Sequence, residues 1–454
     1  MVEVREDLLH YAWQFQAFGR AGLATTDGQP IEVLQPGQHN RAAGPDFAQA
    51  VLTIGGLRWA GAVECHVLSS DWARHGHSAD PAYARVVLHV VWQHDQDVYL
   101  PDGTCLPVLE LRGLLTPHLL ARYRQLMERL APGPACLPQL ALVPPLVATA
   151  MQERALLERL QAKAEHLEAL YQASGRDWEE TAYRALAYAW GLPANGHAFL
   201  QLAEALPMRQ LRRLAGQPLS VEALLLGQAG LLGQPEPEPA DALTAAFEAR
   251  ARYHTAAQAP PDAHQDALLR EYAYQAGRLR LPPPPPPGTL ATGRMRPAQQ
   301  PALRLAQLAA LLANTPPLFD LMRSYTQVAE LVAHFRVTAS GYWQLRYNFG
   351  PAGKCGSPTV GHAQALSLVA NAVAPLLAAY GRQRNQTAYV HQALSLLEQL
   401  PPEHNHLTKP FTDAGLSNQN AAQSQGWLGV QKLYCQPQKC LQCQIGGALL
   451  RQAA

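Results

Sequence analysis

The chain has 454 residues, of which 48% are hydrophobic and 16% charged, and its formal net charge at pH 7 is +1. This composition excludes a disordered scaffold and is typical of a folded protein with two or three domains. The acidic N-terminus lacks the apolar core of a signal peptide, and no uninterrupted apolar run reaches membrane-spanning length, so we expect a cytoplasmic protein. Seven cysteines without any sign of secretion favour reduced thiols or a metal site over disulfides.

The first predicted elements are a helix and a series of strands. Apolar periodicity predicts a helix from Glu6 to Phe18, followed by strands near Leu23 and from Ile31 to Leu34. Strands then dominate as far as Leu111. We therefore predict an α/β domain over residues 1–135, with a mixed sheet and flanking helices.

Two carboxylates flank a predicted hairpin within this domain. Apolar runs on either side of Gly55-Gly56 predict two strands joined by a tight turn, because glycine permits the positive φ angles of such a turn. Asp46 precedes the first strand and Glu64 lies on the second. The hairpin can bring both acids to one end of the sheet, and two hard oxygen ligands placed there can hold Mg²⁺ or Mn²⁺.

The pattern Pro45-Asp46 followed by Glu64-Cys65-His66 resembles the core of the PD-(D/E)xK phosphodiesterase superfamily, the restriction-endonuclease-like nucleases. The resemblance covers about the first quarter of the chain and implies a metal-dependent nuclease. His66 stands where that superfamily usually has a lysine that positions or activates the attacking water. A histidine there can act as a general base or as a third metal ligand.

Histidines are concentrated just after this motif. His75 and His77 follow within a glycine-containing loop, and His89 lies on a predicted buried strand from Ala84 to Trp92. Imidazoles suit transition metals, so a mixed site with His75 or His77 beside the two acids is one expectation. Solvated loop histidines are the alternative, and we expect His89 to be a core residue.

The rest of the chain is predicted to be mainly helical. Prolines around Cys136 mark the end of the α/β domain, and a helical pattern follows from about residue 145 to 233. The proline run from Pro282 to Pro287 predicts a rigid spacer, with amphipathic helices after it. We predict a helical domain over residues 140–260 and a basic helical region over residues 261–454.

Charge is unevenly distributed along the chain. Residues 1–271 contain 21 Lys and Arg against 30 Asp and Glu, whereas residues 272–454 contain 15 against 5. This basic half predicts either a nucleic-acid-binding surface or a surface that docks on the acidic half. Arginines interleaved with aromatic residues neutralise phosphates and stack on bases. The candidate nucleic-acid-binding residues are Arg294, Arg296, Arg304, Trp343 and Arg346.

The C-terminus contains a second candidate metal site. Cys435, Cys440 and Cys443 form a C-x₄-C-x₂-C pattern, which fits one end of an iron–sulfur site or a zinc knuckle. Three thiolates require a fourth ligand, for which Cys355 is the first candidate, followed by His404 and His406. Several nucleases of the superfamily named above use an iron–sulfur cluster, so the resemblance implies the same assignment. The alternative is that these cysteines are buried as small apolar residues.

The whole chain also resembles a bacterial family defined only as a domain of unknown function. The resemblance implies no activity, so function must be argued from the residues. The segments that carry it are Glu6 to Tyr11, His39-Asn40, Gly44 to Phe47, Val63-Glu64, Ser70 to Trp72, Glu222 to Leu224, Gly227 to Gly230, Tyr434-Cys435 and Lys439 to Cys443.

Two functions are therefore predicted. In the first, the chain is a metal-dependent nuclease in which Asp46 and Glu64 bind the ion and His66 orients or deprotonates the water. Glu6 or Glu32 would supply an accessory carboxylate. In the second, the nuclease-like domain has lost catalysis, and the chain is a nucleic-acid-binding or assembly factor whose C-terminal half carries the function.

Overall fold

The computed structural model describes residues 4–40, 43–127, 133–233, 262–286, 289–292, 295–350, 352 and 357–451. The chain forms two compact units. One contains residues 1–156, 404–418 and 425–454, and the other contains residues 157–403 and 419–424. The predicted fold class is confirmed, because the N-terminal part is a mixed sheet with flanking helices and the remainder is mostly helical.

This division differs from the three consecutive domains predicted from the sequence. The C-terminal segment belongs to the N-terminal unit, where its apolar side chains join the core formed by the first helix and the sheet. Arg122 Nη1 donates to the carbonyl of Leu449 at 2.8 Å, and Tyr11 Oη donates to that of Gly447 at 3.2 Å. Sequence periodicity does not reveal such pairings, because they join residues more than 300 positions apart.

The sheet of the N-terminal unit has the order β1-β3-β4-β5-β6, with β2 paired to β3. Strands β1 to β4 are antiparallel neighbours, whereas β5 is parallel to β4 and β6 is parallel to β5. The predicted hairpin is confirmed: Ile54 pairs with Leu57, and Gly55 and Gly56 both have positive φ. The strands are β1 Ile31–Gln35, β2 Gln38–His39, β3 Phe47–Ile54, β4 Leu57–Leu68, β5 Val86–Gln93 and β6 Val108–Glu110.

The two faces of the sheet are covered by different segments. Helix α1 (Glu6–Phe15) packs on one face, where Val63 and Cys65 enter the main core. Side chains alternate along a strand, so Glu64 and His66 point to the other face. That face is covered by residues 69–85, which connect β4 to β5 and include the short helix α2 (Asp71–Arg74). The other helices of this unit are α3 Pro117–Met127, Lys409–Asp413 and Gln444–Arg451.

The regular elements of the second unit are helices in its described residues, apart from an isolated bridge between Thr338 and Thr359. Helices Pro145–Ala173 and Ala421–Gly429 are shared between the two units. A π-helical turn at Val369–Val373 lies between helices His362–Leu368 and Ala374–Gln383. The helices of this unit are Trp178–Trp190, Gly196–Ala205, Met208–Arg212, Pro218–Gln228, Ala263–Leu279, Pro301–Asn314, Leu318–Ser324, Val328–Phe335, His362–Leu368, Ala374–Gln383 and Thr387–Gln399.

Within the described residues, one stretch is long and apolar enough to cross a membrane. It runs from His362 to Gln383, and 67% of its apolar window is buried. Core helices of soluble proteins have the same length and composition, so this stretch is weak evidence for a membrane span.

Candidate metal centre

The two predicted acids meet where β3 begins. Asp46 directly precedes β3, whose first residue, Phe47, pairs with Val63 on β4. The backbone N–H of Asp46 donates to Glu64 Oε2, and the backbone N–H of Cys65 donates to Asp46 Oδ2, both at 2.9 Å. The structure therefore brings the carboxylates together as the hairpin pattern predicts.

These carboxylates lie in different surroundings. Glu64 is buried, and its burial together with the charge of Asp46 raises the pKa of Glu64 to about 8. Asp46 is partly exposed, and His10 Nε2 on helix α1 lies 3.1 Å from Asp46 Oδ2. Glu64 therefore holds its proton more tightly than an exposed carboxyl, whereas Asp46 has a histidine as its neighbour.

Three imidazoles gather beside Glu64. The ligand nitrogens of His66, His75 and His77 all lie within 4.8 Å of one another, and His75 is exposed to solvent. His66 Nε2 is 3.1 Å from His75 Nδ1, while Glu64 Oε1 is 3.3 Å from His77 Nε2 and 3.7 Å from His66 Nε2. We call His66, His75, His77 and Glu64 the histidine centre.

The crossover segment and strand β5 hold this arrangement in place. The ring of His77 stacks on Tyr83 with 3.8 Å between centroids. His66 Nδ1 lies 2.8 Å from Nε2 of the fully buried His89, which confirms His89 as a core residue that contacts the centre. Burial, with His89 adding, lowers the pKa of His66 to about 2, so this imidazole is neutral at physiological pH. Neutral imidazole is the form that binds metal.

The two accessory acids proposed from the sequence lie at different distances from the histidine centre. Burial raises the pKa of Glu6 on α1, against the opposing effect of His75 and His10, so Glu6 is close enough to both histidines to interact with them electrostatically. Glu32 is exposed and pairs with Thr53 near the hairpin turn, at the other end of β3 from Asp46. The expectation that Glu32 could serve the site is wrong, because six strand residues lie between Thr53 and Asp46.

Two openings are lined by neighbours of Asp46, namely Pro45 in one and His10 in the other. A groove of about 600 Å³ is lined by Pro45, Asn40, Gln49 and Arg85, among others. A cavity of about 440 Å³ lies along α1, where polar and basic side chains are prominent. Those side chains include His10, His39, Arg154 and Arg451. Sequence reasoning gave no chemical role to His10 or His39, although both stand in segments that carry the full-length resemblance.

The predicted nucleic-acid-binding residues have different exposures. Arg304 and Trp343 are buried, and Trp343 Nε1 donates to Glu222 Oε1 at 2.7 Å, so these two are core residues and not surface contacts. Burial lowers the pKa of Arg304 to about 10. Arg296 is exposed, and the guanidinium of Arg346 lies 4.5 Å from the ring centroid of Tyr342. Arg294 lies outside the described residues.

The three C-terminal cysteines line one cavity, together with a fourth cysteine that sequence reasoning treated only as a boundary marker. That residue is Cys136. Burial, with smaller contributions from Cys443 and Cys440, raises the pKa of Cys136 to about 12, which reflects the proximity of these thiols. Cys355, the predicted fourth ligand, lies outside the described residues. A spacing rule cannot find Cys136, because it is far away in the sequence.

Comparison with known proteins gives one match. The family model described as "Protein of unknown function (DUF2851)" matches residues 6–406. No curated protein and no solved structure matches the chain. The matched region contains the histidine centre and Cys136 and ends before Cys435. The resemblance to a family of unknown function is thus confirmed over most of the chain, whereas the nuclease resemblance stays a prediction.

Proposed function

Since the chain belongs to the DUF2851 family, whose description gives no activity, its function must come from the site, and we propose a metal-dependent phosphodiesterase acting on nucleic acid. One observation carries the proposal. Three imidazoles and a carboxylate converge at the point where the sheet also places Asp46. Such a set of nitrogen and oxygen donors is what a divalent ion needs.

The donor set also indicates which ion would bind. Imidazoles suit zinc, iron, copper and nickel, whereas sites dominated by carboxylates suit Mg²⁺ and Mn²⁺. Three histidines with one glutamate therefore favour a transition ion over Mg²⁺. This proposal revises the expectation of a Mg²⁺ or Mn²⁺ site built from two carboxylates. Mn²⁺ stays compatible with the histidine centre, because Mn²⁺ accepts both imidazole and carboxylate ligands.

The residues of the centre would divide the chemistry among them. A bound divalent ion would polarise a phosphodiester oxygen and lower the pKa of a water molecule. His66 is buried and neutral, which suits a ligand better than a general base, because a base works best with a pKa near the operating pH. Glu6, whose pKa burial raises, is the group suited to exchange a proton, because Glu64 is assigned to the ion.

Nucleic acid is the proposed substrate for two reasons. The order Pro45-Asp46 then Glu64 resembles that of the PD-(D/E)xK nucleases, and the groove of about 600 Å³ borders Pro45 with Arg85 in its wall. Exposed arginines in the basic half, such as Arg296, would add phosphate contacts. Such a protein fits the cytoplasmic address expected from the sequence. The second candidate function, a nucleic-acid-binding or assembly factor without catalysis, shares these contacts but needs no metal.

The decisive experiment removes imidazoles from the histidine centre. We expect the double variant His75→Ala/His77→Ala to lose bound Mn²⁺ or Zn²⁺ in titration calorimetry and to lose cleavage of labelled single- and double-stranded oligonucleotides. The matched control is His118→Ala, which removes an exposed imidazole from helix α3 of the same unit. Cleavage that survives in the double variant would refute the proposed centre. Metal binding without any cleavage by the parent protein would favour the binding factor.

Nucleic-acid binding is tested separately through its salt dependence. We expect oligonucleotide affinity to fall steeply with salt, because each arginine–phosphate contact releases counterions. The variant Arg296→Ala/Arg346→Ala should reduce that slope by about one to two. Arg58→Ala, which alters an exposed arginine on β4, serves as the control. A parent protein whose affinity does not change with salt would contradict the proposed nucleic-acid contact.

A further inference from the structure

Four of the seven cysteines line a single cavity in the N-terminal unit. Cys136 follows the segment after helix α3, while Cys435, Cys440 and Cys443 come from the C-terminal segment. None of the four forms a disulfide in the part of the chain that the structure describes. The fold thus brings one distant cysteine to the three that form the C-x₄-C-x₂-C pattern, and we call this group the cysteine pocket.

The walls of the cysteine pocket are mainly apolar. Leu126, Val430, Tyr434 and Ile445 contribute to it, and no Asp, Glu, Lys or Arg side chain lines it among the residues that the structure describes. Sulfur atoms are therefore the main metal-binding groups that face the cavity. A dry, apolar shell around thiolates is the usual environment of structural metal centres.

The backbone supports the sulfur atoms closely. The backbone N–H groups of Ile445 and Gly446 donate to the Cys443 sulfur. A Cβ atom at Gly446 would lie 2.1 Å from the carbonyl oxygen of Cys440, so only glycine allows this approach. The backbone at Cys440 is thus packed directly against the backbone at the start of the last helix.

We propose that Cys136, Cys435, Cys440 and Cys443 bind one metal centre through four thiolates. Cys136 takes the place that the sequence assigned to Cys355. Simple packing of small apolar residues does not require four thiols around one cavity, and the other two described cysteines, Cys65 and Cys105, do not line it. The centre would fasten the C-terminal segment to the loop that follows α3. This inference does not depend on the proposed phosphodiesterase activity.

The cysteine pocket is small, with a volume of about 20 Å³, and among the described residues no three of its sulfur atoms lie within 4.8 Å of one another. A tetrahedral zinc site with Zn–S bonds of about 2.3 Å places its sulfur atoms about 3.8 Å apart, so a single ion requires the thiols to turn towards one another. A four-iron cluster separates its cysteine ligands more widely, because the inorganic core lies between them, and it requires the cavity to widen.

The test uses the full-length protein, purified with and without exclusion of oxygen. Iron, acid-labile sulfide and zinc are measured in the parent and in Cys136→Ser, Cys440→Ser, Cys355→Ser and Cys105→Ser. We expect Cys136→Ser and Cys440→Ser to lose the metal by at least about tenfold, and the other two to keep it. About four irons with sulfide and visible absorbance identify a cluster, whereas one zinc in colourless protein identifies a zinc site. Either result supports four-thiolate ligation.

A second measurement covers variants that fail to fold. Alkylation of the parent protein is followed by mass spectrometry, before and after metal removal. We expect the four pocket thiols to be protected together and released together, whereas the exposed Cys105 is alkylated in both states. Metal-free parent protein from both preparations would overturn the proposal. So would loss of metal in Cys355→Ser with retention in Cys136→Ser, or alkylation of Cys136 while the metal is still bound.

Discussion

The histidine centre and the cysteine pocket lie in the same unit but are built in opposite ways. The proposed ligands of the histidine centre come from 14 consecutive positions, Glu64 to His77, and one of its imidazoles is open to solvent. The proposed ligands of the cysteine pocket come from segments about 300 residues apart, and Cys443 is buried. The first arrangement suits exchange with a substrate. The second suits a permanent link between distant segments.

The comparison indicates that burial and distance along the sequence distinguish a site suited to a substrate from a site that links two segments. A local cluster on a strand and its crossover can form once the sheet is present, so an ion there adds little to folding. Ligands that join distant segments have no preformed site in the unfolded chain, so metal binding there contributes directly to folding free energy. The predictions below test this contrast, beginning with the largest expected effect.

Metal removal should have opposite structural consequences at the two sites. Stripping the cysteine pocket under reducing conditions should expose the segment from Cys435 to Arg451 to protease, because structural thiolate-bound metal contributes on the order of 10 kcal/mol. Removing metal from the histidine centre with a mild chelator should leave that segment protected. Limited proteolysis with mass spectrometry measures both. Equal digestion of this segment after both treatments would contradict the proposed difference between the two sites.

The histidine centre should make stability depend on pH when no metal is present. The pKa of Glu64 rises from its ordinary value of 4.5 to about 8 on folding, so the folded protein keeps a proton that the unfolded chain loses between these values. The free energy of unfolding contributed by this group is therefore largest below pH 4.5. It falls as pH rises towards 8, by at most about 1.4 kcal/mol per pH unit. Glu64→Gln should flatten denaturant-derived stability over this window, and an unchanged slope would contradict the assignment.

The cysteine pocket should be sensitive to a single added methyl group. Gly446→Ala places a Cβ against the Cys440 carbonyl and should lower the free energy of unfolding by about 1 to 3 kcal/mol, with partial loss of metal. Gly447→Ala is the matched control, because its nearest neighbour, Arg451 Nη1, would lie 3.4 Å away. Denaturant titration and metal analysis compare the two. If the two alanine variants have the same stability and the same metal content, the close approach of Gly446 to Cys440 does not affect the cysteine pocket.

The smallest effect is expected at the turn that positions Asp46. Asn40 Nδ2 donates to the carbonyl of Pro45 at 3.1 Å, and the backbone N–H of Asn40 donates to the carbonyl of Asp46 at 2.7 Å. Asn40→Ala should cost about 1 kcal/mol of unfolding free energy and weaken metal binding by about tenfold at most. Gln38→Ala, on the exposed side of β2, is the control. A larger loss of affinity would mean that Asp46 is itself a ligand.

The local features of the N-terminal unit could be predicted from sequence because short-range physics determines them. Glycines at positions 55 and 56 permit only a tight turn between two apolar runs, and that turn brings Asp46 to Glu64. The histidines were recognisable as a group by their density. Their assembly with Glu64 was not, because it depends on how residues 69–85 cross over the sheet between two parallel strands.

Sequence alone determined the mixed sheet, the helical remainder and the two sets of candidate ligands, since alternation, helical periodicity and residue type are readable within a few tens of residues. Only the tertiary structure decided that Arg304 and Trp343 are buried and that Glu32 is remote from the site. It also decided that Cys136 joins the C-terminal cysteines. Burial and long-range pairing arise when distant segments pack together to remove apolar surface from water, and a local pattern carries no information about which distant partner that will be.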